Sequence, residues 1–469
     1  MSPDDAVAGD SGVLKLHLPE LRQVQKMQKV RAVREVQEAL SVGLPPDSRR
    51  NLSLLHSWTA VPEPTFLTGN QVELLQGGDA LFPRMVQAIE QATDEVWLAT
   101  YIFHNDPAAM GMALALRAAA ARGVAVHLVV DGFGCLNTLP ALRAVLAGSA
   151  VQLEVFRPLD RWYAWLQPGQ LRRLHQKLCV CDASVAFVGG INIIDDRLDI
   201  YHGWTDTPRL DFAVQITGPL AEPVRNTTRA MWARAHMARA WRQEVRELVR
   251  SRRPIREAAQ LIRELRGSSE LEAAPAQDGM NVAFIVRDNF RQRRAIERSY
   301  VQAIRRARFQ VDIAVPYFYP GQMFRRVLRQ AARRGVRVRL LLQGKVDFRV
   351  AALAARALYD ELRANGVQVF EYTPAFLHAK VALVDDNWAT VGSSNIDPLS
   401  LLLNLEANVV VNDPAFTREL AARFDAAFAV SAEVTGPPAR SGLRGWLLRA
   451  MVAWGAGLYL RLAGITGRY

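Results

Sequence analysis

Three cysteines in 469 residues, Cys135, Cys179 and Cys181, are too few and too unevenly spaced to staple a chain of this length. A disulfide scaffold is excluded, and a reducing compartment is the simplest reading. No second Cys pair or His pair at zinc-ligand spacing accompanies Cys179 and Cys181, so they read as small buried strand residues. Long apolar runs are also missing. The closest approach to the ~20 residues of a spanning helix is Ala450 to Leu460, 11 residues between Arg449 and Arg461. With Trp446, Trp454 and Tyr459 around it, that tail suits either an interfacial helix or a helix packed on the protein. The opening MSPDDAVAGDSG has no basic stretch leading into an apolar one, so no secretory signal is expected. Lysine is scarce as well, at 6 of the 58 basic residues.

What is present is 50% hydrophobic and 22% charged, enough for packed cores and incompatible with a wholly disordered chain. The length suggests two or three domains. A net charge of +12 favours a polyanionic partner: nucleic acid, an anionic membrane or a phosphate-bearing substrate.

The first sixty residues hold a mixed-charge helical stretch, LPELRQVQKMQKVRAVREVQEAL, and read as an N-terminal helical extension over 1–63. From residue 64 the pattern alternates. DEVWLATYIF reads as a strand, MALALRAAAARG as a helix with a Gly stop, and VAVHLVVDG as a buried strand. The same order returns as FQVDIAVPYFYP, FRRVLRQAARRG and VRVRLLLQG, with Gly123 matching Gly335. A repeat of this length fits a duplicated domain. The expected organisation is half 1 over 64–229, an Arg-rich helical connection over 230–278, half 2 over 279–432, and the apolar tail over 433–469.

Each half carries one His-x-Lys-x4-Asp: His175, Lys177 and Asp182, then His378, Lys380 and Asp385. Composition alone gives one match about 0.005 times per chain, so two at equivalent places are not chance. An otherwise Arg-using chain has Lys at both motif positions, where a compact ammonium can sit on a single phosphate oxygen. LHQKLCV and LHAKVAL alternate as strands do, which puts His and Lys on one face. A Gly follows each His by 14 residues (Gly189, Gly392) and an Asn by 17 (Asn192, Asn395). Asn192 and Asn395 supply amide donors for non-bridging phosphate oxygens. Asp211 and Glu406 stand at equivalent places further on, and a carboxylate taking one imidazole N–H would fix the tautomer.

Two His, two Lys and two Asn in one cavity suit phosphodiester chemistry. One His attacks phosphorus, and the other, protonated, gives its proton to the departing alkoxide. The Lys and Asn donors stabilise the equatorial oxygens, so neither metal nor cofactor is expected. No His-Glu-x-x-His, EF-hand loop or Gly-x4-Gly-Lys-Ser/Thr loop is present, and Asp131-Gly-Phe-Gly reads as a turn.

At these residues the chain resembles the phospholipase D superfamily, whose signature is the duplicated motif followed by Gly-Gly/Ser and Asn. Within it the chain is most similar to bacterial cardiolipin synthases of the B type, through TGNQVELLQGGDALFPRMVQAI, YIFHND, ARGVAVHLVVDGFG, FRPL, FVGGINI and VGSSNIDPLSLLLNLEANVVV. The resemblance covers residues 64–432. It implies an α/β fold of two mixed β-sheets flanked by helices, related by a pseudo-twofold axis with the site at the seam. It also implies ping-pong transfer of a phosphatidyl group between two phosphatidylglycerol molecules through a phosphohistidine, with glycerol released.

By resemblance His175 is the nucleophile and His378 the acid and then the base, although the motifs are too symmetric for sequence to rank them. Asp211 and Glu406 orient the two His, and Asp182 and Asp385 anchor the motif strands. Gln176 departs from the family, which more often has Arg there, with Arg172 and Arg173 close by. The implied partner is an anionic phospholipid membrane at the cytoplasmic face of the bacterial inner membrane, with no nucleic acid expected. The oligomeric state is left open. A phospholipid hydrolase, a phosphatidylserine synthase or a nuclease on the same scaffold would use the same residues. A silent membrane-binding copy of the fold would not need both motifs complete.

Overall fold

The computed structural model describes residues 64–159, 172–248, 278–287, 292, 294–345, 358–397, 400–401 and 403–435, with backbone alone for 240–248. The N-terminal helical stretch, most of the Arg-rich connection and the tail beyond 435 lie outside the described residues.

The first half runs β1 (Phe66–Gln76), α1 (Gly78–Gln91), β2 (Glu95–Thr100), α2 (Pro107–Ala121), β3 (Ala125–Asp131), α3 (Leu139–Leu146) and β4 (Gln152–Phe156). It continues with β5 (Leu178–Cys181), β6 (Val185–Gly189), the two-residue strands β7 (Leu198–Asp199) and β8 (Gly203–Trp204), β9 (Phe212–Thr217) and α4 (Ala221–Leu248). The second half opens with β10 (Met280–Arg287), α5 (Ala295–Arg306), β11 (Gln310–Val315), α6 (Gln322–Arg333), β12 (Arg337–Gln343) and β13 (Gln368–Tyr372). It closes with β14 (Val381–Val384), β15 (Trp388–Gly392), β16 (Glu406–Asn412), α7 (Pro414–Ala429) and β17 (Ala432–Glu433). Helix α4 runs through residue 229, where the sequence pattern placed the end of the first half.

The predicted duplication is present in the topology. Strands run β1-β9-β6-β5-β2-β3-β4 in one half and β10-β16-β15-β14-β11-β12-β13 in the other, with β17 added at the second edge. In each, three strands are parallel and the motif strand is antiparallel to its neighbours. The matched glycines end matched helices: Gly123 (φ 96°) and Gly335 (φ 90°) take the left-handed turn after α2 and α6. At the other end of α2 and α7, Asp106 and Asp413 cap the first turn by accepting from Ala109 N (3.0 Å) and Phe416 N (2.8 Å), each followed by Pro.

The two sheets pack face to face and are also joined. Gln71 to Gln76 of β1 pair with β9, whereas Phe66 and Leu67 pair with β10, with a bulge at Gly69 (φ 80°) between. Buried Asn70 fills that bulge, giving its amide to Leu67 O (2.8 Å) and accepting from Leu220 N (2.9 Å).

Alternation sorts the strand side chains into layers. Leu178 and Val180 of β5 enter the layer between the sheets, with Val188, Val214, Leu383, Val391 and Val409 and with Phe416, Leu420 and Phe424 of α7. Cys179 and Cys181 point to the outer layer beneath α1 and α2, buried and free as predicted. A matching outer layer in the second half packs Tyr300, Ile304, Phe324 and Leu328 on its sheet. Each fully buried Val or Leu is worth about 1.5–3 kcal/mol, against about 0–1 for an exposed ion pair. The apolar layer, rather than the charges at its rim, therefore holds the halves together. No helix among the described residues is long and apolar enough to cross a membrane.

Candidate active site

Both motif histidines sit in extended chain just before their strands, at the carboxyl ends of the neighbouring parallel strands, where α/β sheets open a crevice. Each lead-in pairs with the other half. His175 N donates to Leu405 O (3.0 Å) and Leu405 N to Arg173 O (2.9 Å). His378 N donates to Leu210 O (2.8 Å) and Leu210 N to Phe376 O (2.9 Å).

These bridges place the acid next in sequence against the histidine of the opposite half. Nδ1 of His175 lies 2.9 Å from Oε2 of Glu406, and Nδ1 of His378 lies 2.6 Å from Oδ2 of Asp211. The partners are 231 and 167 residues apart in the chain. Sequence reading paired these residue types without showing that they cross over.

Both lysines are buried, and each ammonium folds back onto the carbonyl of its own histidine: Lys177 Nζ to His175 O at 2.7 Å, and Lys380 Nζ to His378 O. Burial dominates the electrostatics of the site. It pulls Lys177 down to about 8 and Lys380 to about 7. Burial and then the Lys380 charge bring His378 to about 3, against the opposing pull of Asp211. Burial also lowers His175, with Glu406 opposing.

The carboxylates respond the other way. Burial pushes Asp211 up, but the charges of Lys380 and His378 more than offset it and leave the acid below its usual range. Burial pushes Glu406 up as well, and His175, Lys177 and the Ser393 hydroxyl bring it below. Two ionised carboxylates thus accept Nδ1–H from two neutral imidazoles, which leaves both Nε2 lone pairs unengaged by them. The halves share one field, since Lys380 acts on His175 and Lys177 on Lys380. A phosphodiester anion entering it raises all four basic groups.

Asn192 and Asn395 follow β6 and β15 and are buried. Asn192 Oδ1 accepts from Ile102 N (3.3 Å), and Asn395 Oδ1 has no partner among the described residues. Asp182 and Asp385 stand apart from this cluster. They lie seven residues past the histidines, about 20 Å along extended chain, at left-handed positions (φ 50° and 53°). Asp182 accepts from Thr93 N (2.8 Å), Asp94 N (2.9 Å) and Glu95 N (2.8 Å). Asp385 accepts from Arg308 N (3.0 Å), Phe309 N (2.8 Å) and Gln310 N (3.1 Å). Each ties the far end of its motif strand to the start of the adjacent parallel one.

Two residues were missed by sequence reasoning, and a third, Gln176, was noted there only as a departure from the family. The Tyr101 ring lies 5.1 Å from that of His175 and 5.5 Å from Lys177 Nζ. Its only signal was its place within DEVWLATYIF, which was read as a strand. Ser393 Oγ donates to Glu406 Oε2 (2.6 Å), a role its place beside Gly392 could have suggested. Gln176, inside the motif, gives its amide to Glu406 O (3.1 Å) and so braces the crossover rather than the substrate side.

The family model described as "Cardiolipin synthase, PLD-like domain" matches residues 85–202 and 300–428. "Cardiolipin synthase B" of Escherichia coli (strain K12) is 36% identical over 352 residues, covering 75% of this chain and 79% of the relative. "Cardiolipin synthase A" of Pseudomonas fluorescens (strain SBW25) is 31% identical over 401 residues, covering 84% and 77%. Among solved structures, the phosphatidylserine synthase of Haemophilus influenzae Rd KW20 shares the fold, with a TM-score of 0.60 at 13% identity over 85% of this chain and 97% of that one.

Proposed function

Because the chain belongs to the cardiolipin synthase family of phospholipase D-like enzymes, and is a phosphatidyltransferase, we propose the following roles for its site residues. Nε2 of His175 attacks the phosphorus of one phosphatidylglycerol. The bond from phosphorus to the glycerol oxygen breaks, and protonated His378 gives its Nε2 proton to that oxygen, so glycerol leaves and the phosphatidyl group stays on His175.

A hydroxyl of a second phosphatidylglycerol then gives its proton to His378 and attacks phosphorus. The phosphorus–nitrogen bond breaks, and cardiolipin forms. Lys177, Lys380, Asn192 and Asn395 hold the non-bridging oxygens as charge builds on them. Glu406 and Asp211 keep Nδ1 protonated and stabilise the imidazolium when it forms. Asp182 and Asp385 act as strand anchors. The observation that carries this reading is the crossed pair of histidine–carboxylate contacts, which sets two imidazoles in one field with two buried ammonium groups.

Its substrate being a membrane lipid, the enzyme works peripherally at a bilayer surface. Three free, buried cysteines support the cytoplasmic face of the bacterial inner membrane. The test is lipid mass spectrometry of the purified protein with phosphatidylglycerol vesicles, with and without added glycerol, beside His175→Ala. Cardiolipin made only by the unsubstituted protein and suppressed by glycerol is expected. Phosphatidic acid alone would make the enzyme a hydrolase and overturn the transfer step.

A further inference from the structure

Nine large hydrophobic side chains are exposed among the described residues, and five of them fall on two short loops: Phe133 and Leu136 after β3, and Ile200, Tyr201 and Trp204 in the β7–β8 hairpin. Each loop is tied to the residue two places before a motif histidine. The Arg173 guanidinium lies over the Phe133 ring at 5.4 Å, and the His202 ring lies 5.1 Å from that of Phe376.

We propose that these two loops form the face by which the protein docks on an anionic phospholipid bilayer, seating the active-site mouth on the headgroups. The inference rests on the lipid-transfer reading above and adds where the membrane lies.

Three observations favour a bilayer as the occupant. The side chains of His175 and His378 are only 12% and 24% exposed, so a lipid phosphate reaches them only by rising out of the membrane into the crevice. The loops are stiffened in the same way, by an aspartate accepting two backbone N–H groups. Asp131 accepts from Phe133 N (2.8 Å) and Gly134 N (3.2 Å), and Asp199 from Tyr201 N and His202 N (both 2.9 Å). Aromatic and aliphatic groups held out on ordered turns are suited to the interfacial zone.

The third observation is charge. Beside the Phe133 loop, Arg157, Arg172, Arg173 and Arg234 crowd together. Burial and the other three charges bring the Arg157 guanidinium down to about 10. On the other side of the mouth, Lys345 Nζ lies 5.7 Å from the Phe376 ring. Basic groups beside the Phe133 loop and at Phe376 match the headgroup layer of an anionic membrane.

The native cysteines are all buried, so Ile200→Cys in the full chain takes an environment-sensitive fluorophore at one site. Phe309→Cys serves as the control, since that exposed residue sits beside Asp385 at the opposite end of β14 from His378. Vesicles of phosphatidylglycerol and phosphatidylcholine are expected to blue-shift the label at 200 and not the one at 309. No shift at 200, or equal shifts at both, would overturn the proposal.

In Ile200→Ser/Trp204→Ser, turnover of phosphatidylglycerol in vesicles relative to a short-chain phosphatidylglycerol dissolved as monomers is expected to fall about tenfold. An unchanged ratio would also overturn it. If the unsubstituted protein makes no cardiolipin from either lipid form while the label at 200 still shifts, the docking face stands and the transfer reading fails.

Discussion

The two halves repeat one topology but complete their histidines differently. In the second half Ser393 stands after the strand glycine and its hydroxyl reaches Glu406 Oε2. In the first half the equivalent residue is Gly190, where a Cβ would lie 2.4 Å from Asp211 Oδ1. The longer acid has room for a supporting hydroxyl, whereas the shorter acid lies against bare backbone and takes Phe212 N (2.8 Å) instead. The imidazoles differ to match. His378, held by Asp211, is the more exposed of the two, and His175, held by Glu406, is packed under Tyr101. Symmetric sequence motifs have thus been given unequal surroundings, as unequal roles in a two-step transfer require.

Trapping experiments test this inequality most directly. His175→Ala and His378→Ala should each lower turnover by about 10³-fold or more. Rapid quenching with radiolabelled phosphatidylglycerol should still find a covalent phosphatidyl adduct in His378→Ala and none in His175→Ala. The reverse result would exchange the two roles. Next in size, Glu406→Gln should cost less than loss of either histidine, up to about 10⁴-fold. A double-mutant cycle should show it coupled to His175→Ala and nearly additive with His378→Ala. Coupling to His378 would break the crossover.

Gly190→Ala should cost more activity than Ser393→Ala. The first drives a methyl into Asp211, and the second removes a hydroxyl that donates to Glu406 Oε2 and accepts from Ala407 N, at about 1 kcal/mol for each bond. Equal losses would erase the difference between the halves.

The lysines give a pH signature. Burial has lowered both, so their charge is lost as pH rises through about 7 and 8 rather than near the ordinary lysine range. Thermal stabilisation by dimethyl phosphate, a monoanion throughout, should therefore be largest near pH 6 and shrink toward pH 9. Constant stabilisation would mean that the ammonium groups do not hold the phosphate. Smallest in rate, Asp182→Asn and Asp385→Asn should leave kcat nearly unchanged while lowering stability by about 1–3 kcal/mol, read as a fall in Tm.

Local features were the ones legible in the sequence. The periodicity of DEVWLATYIF and VAVHLVVDG matches β2 and β3, and the Gly stops fall where α2 and α6 end. The doubled His-x-Lys-x4-Asp marked the cluster because its members lie on short stretches with a strand's period. What sequence could not show depends on contacts between segments far apart in the chain. The Leu174–Leu405 and Leu210–Leu377 bridges decide which acid serves which histidine, and no local period encodes them. The joining of the sheets through β1 depends on one bulge, and the β7–β8 hairpin is too short to leave a pattern. The motif aspartates were read by resemblance as strand anchors, and the structure adds which backbone groups they hold, at the starts of β2 and β11.

Gene duplication ordinarily provides a spare, and a second copy can absorb damage while the first carries on. The exchanged carboxylates remove that insurance. On the proposed roles, loss of Glu406 from the second copy would disable the histidine of the first, and loss of Asp211 from the first would disable the histidine of the second. Neither copy could then be excised, silenced or left to drift without disabling the other, and the repeat would behave as one indivisible gene product.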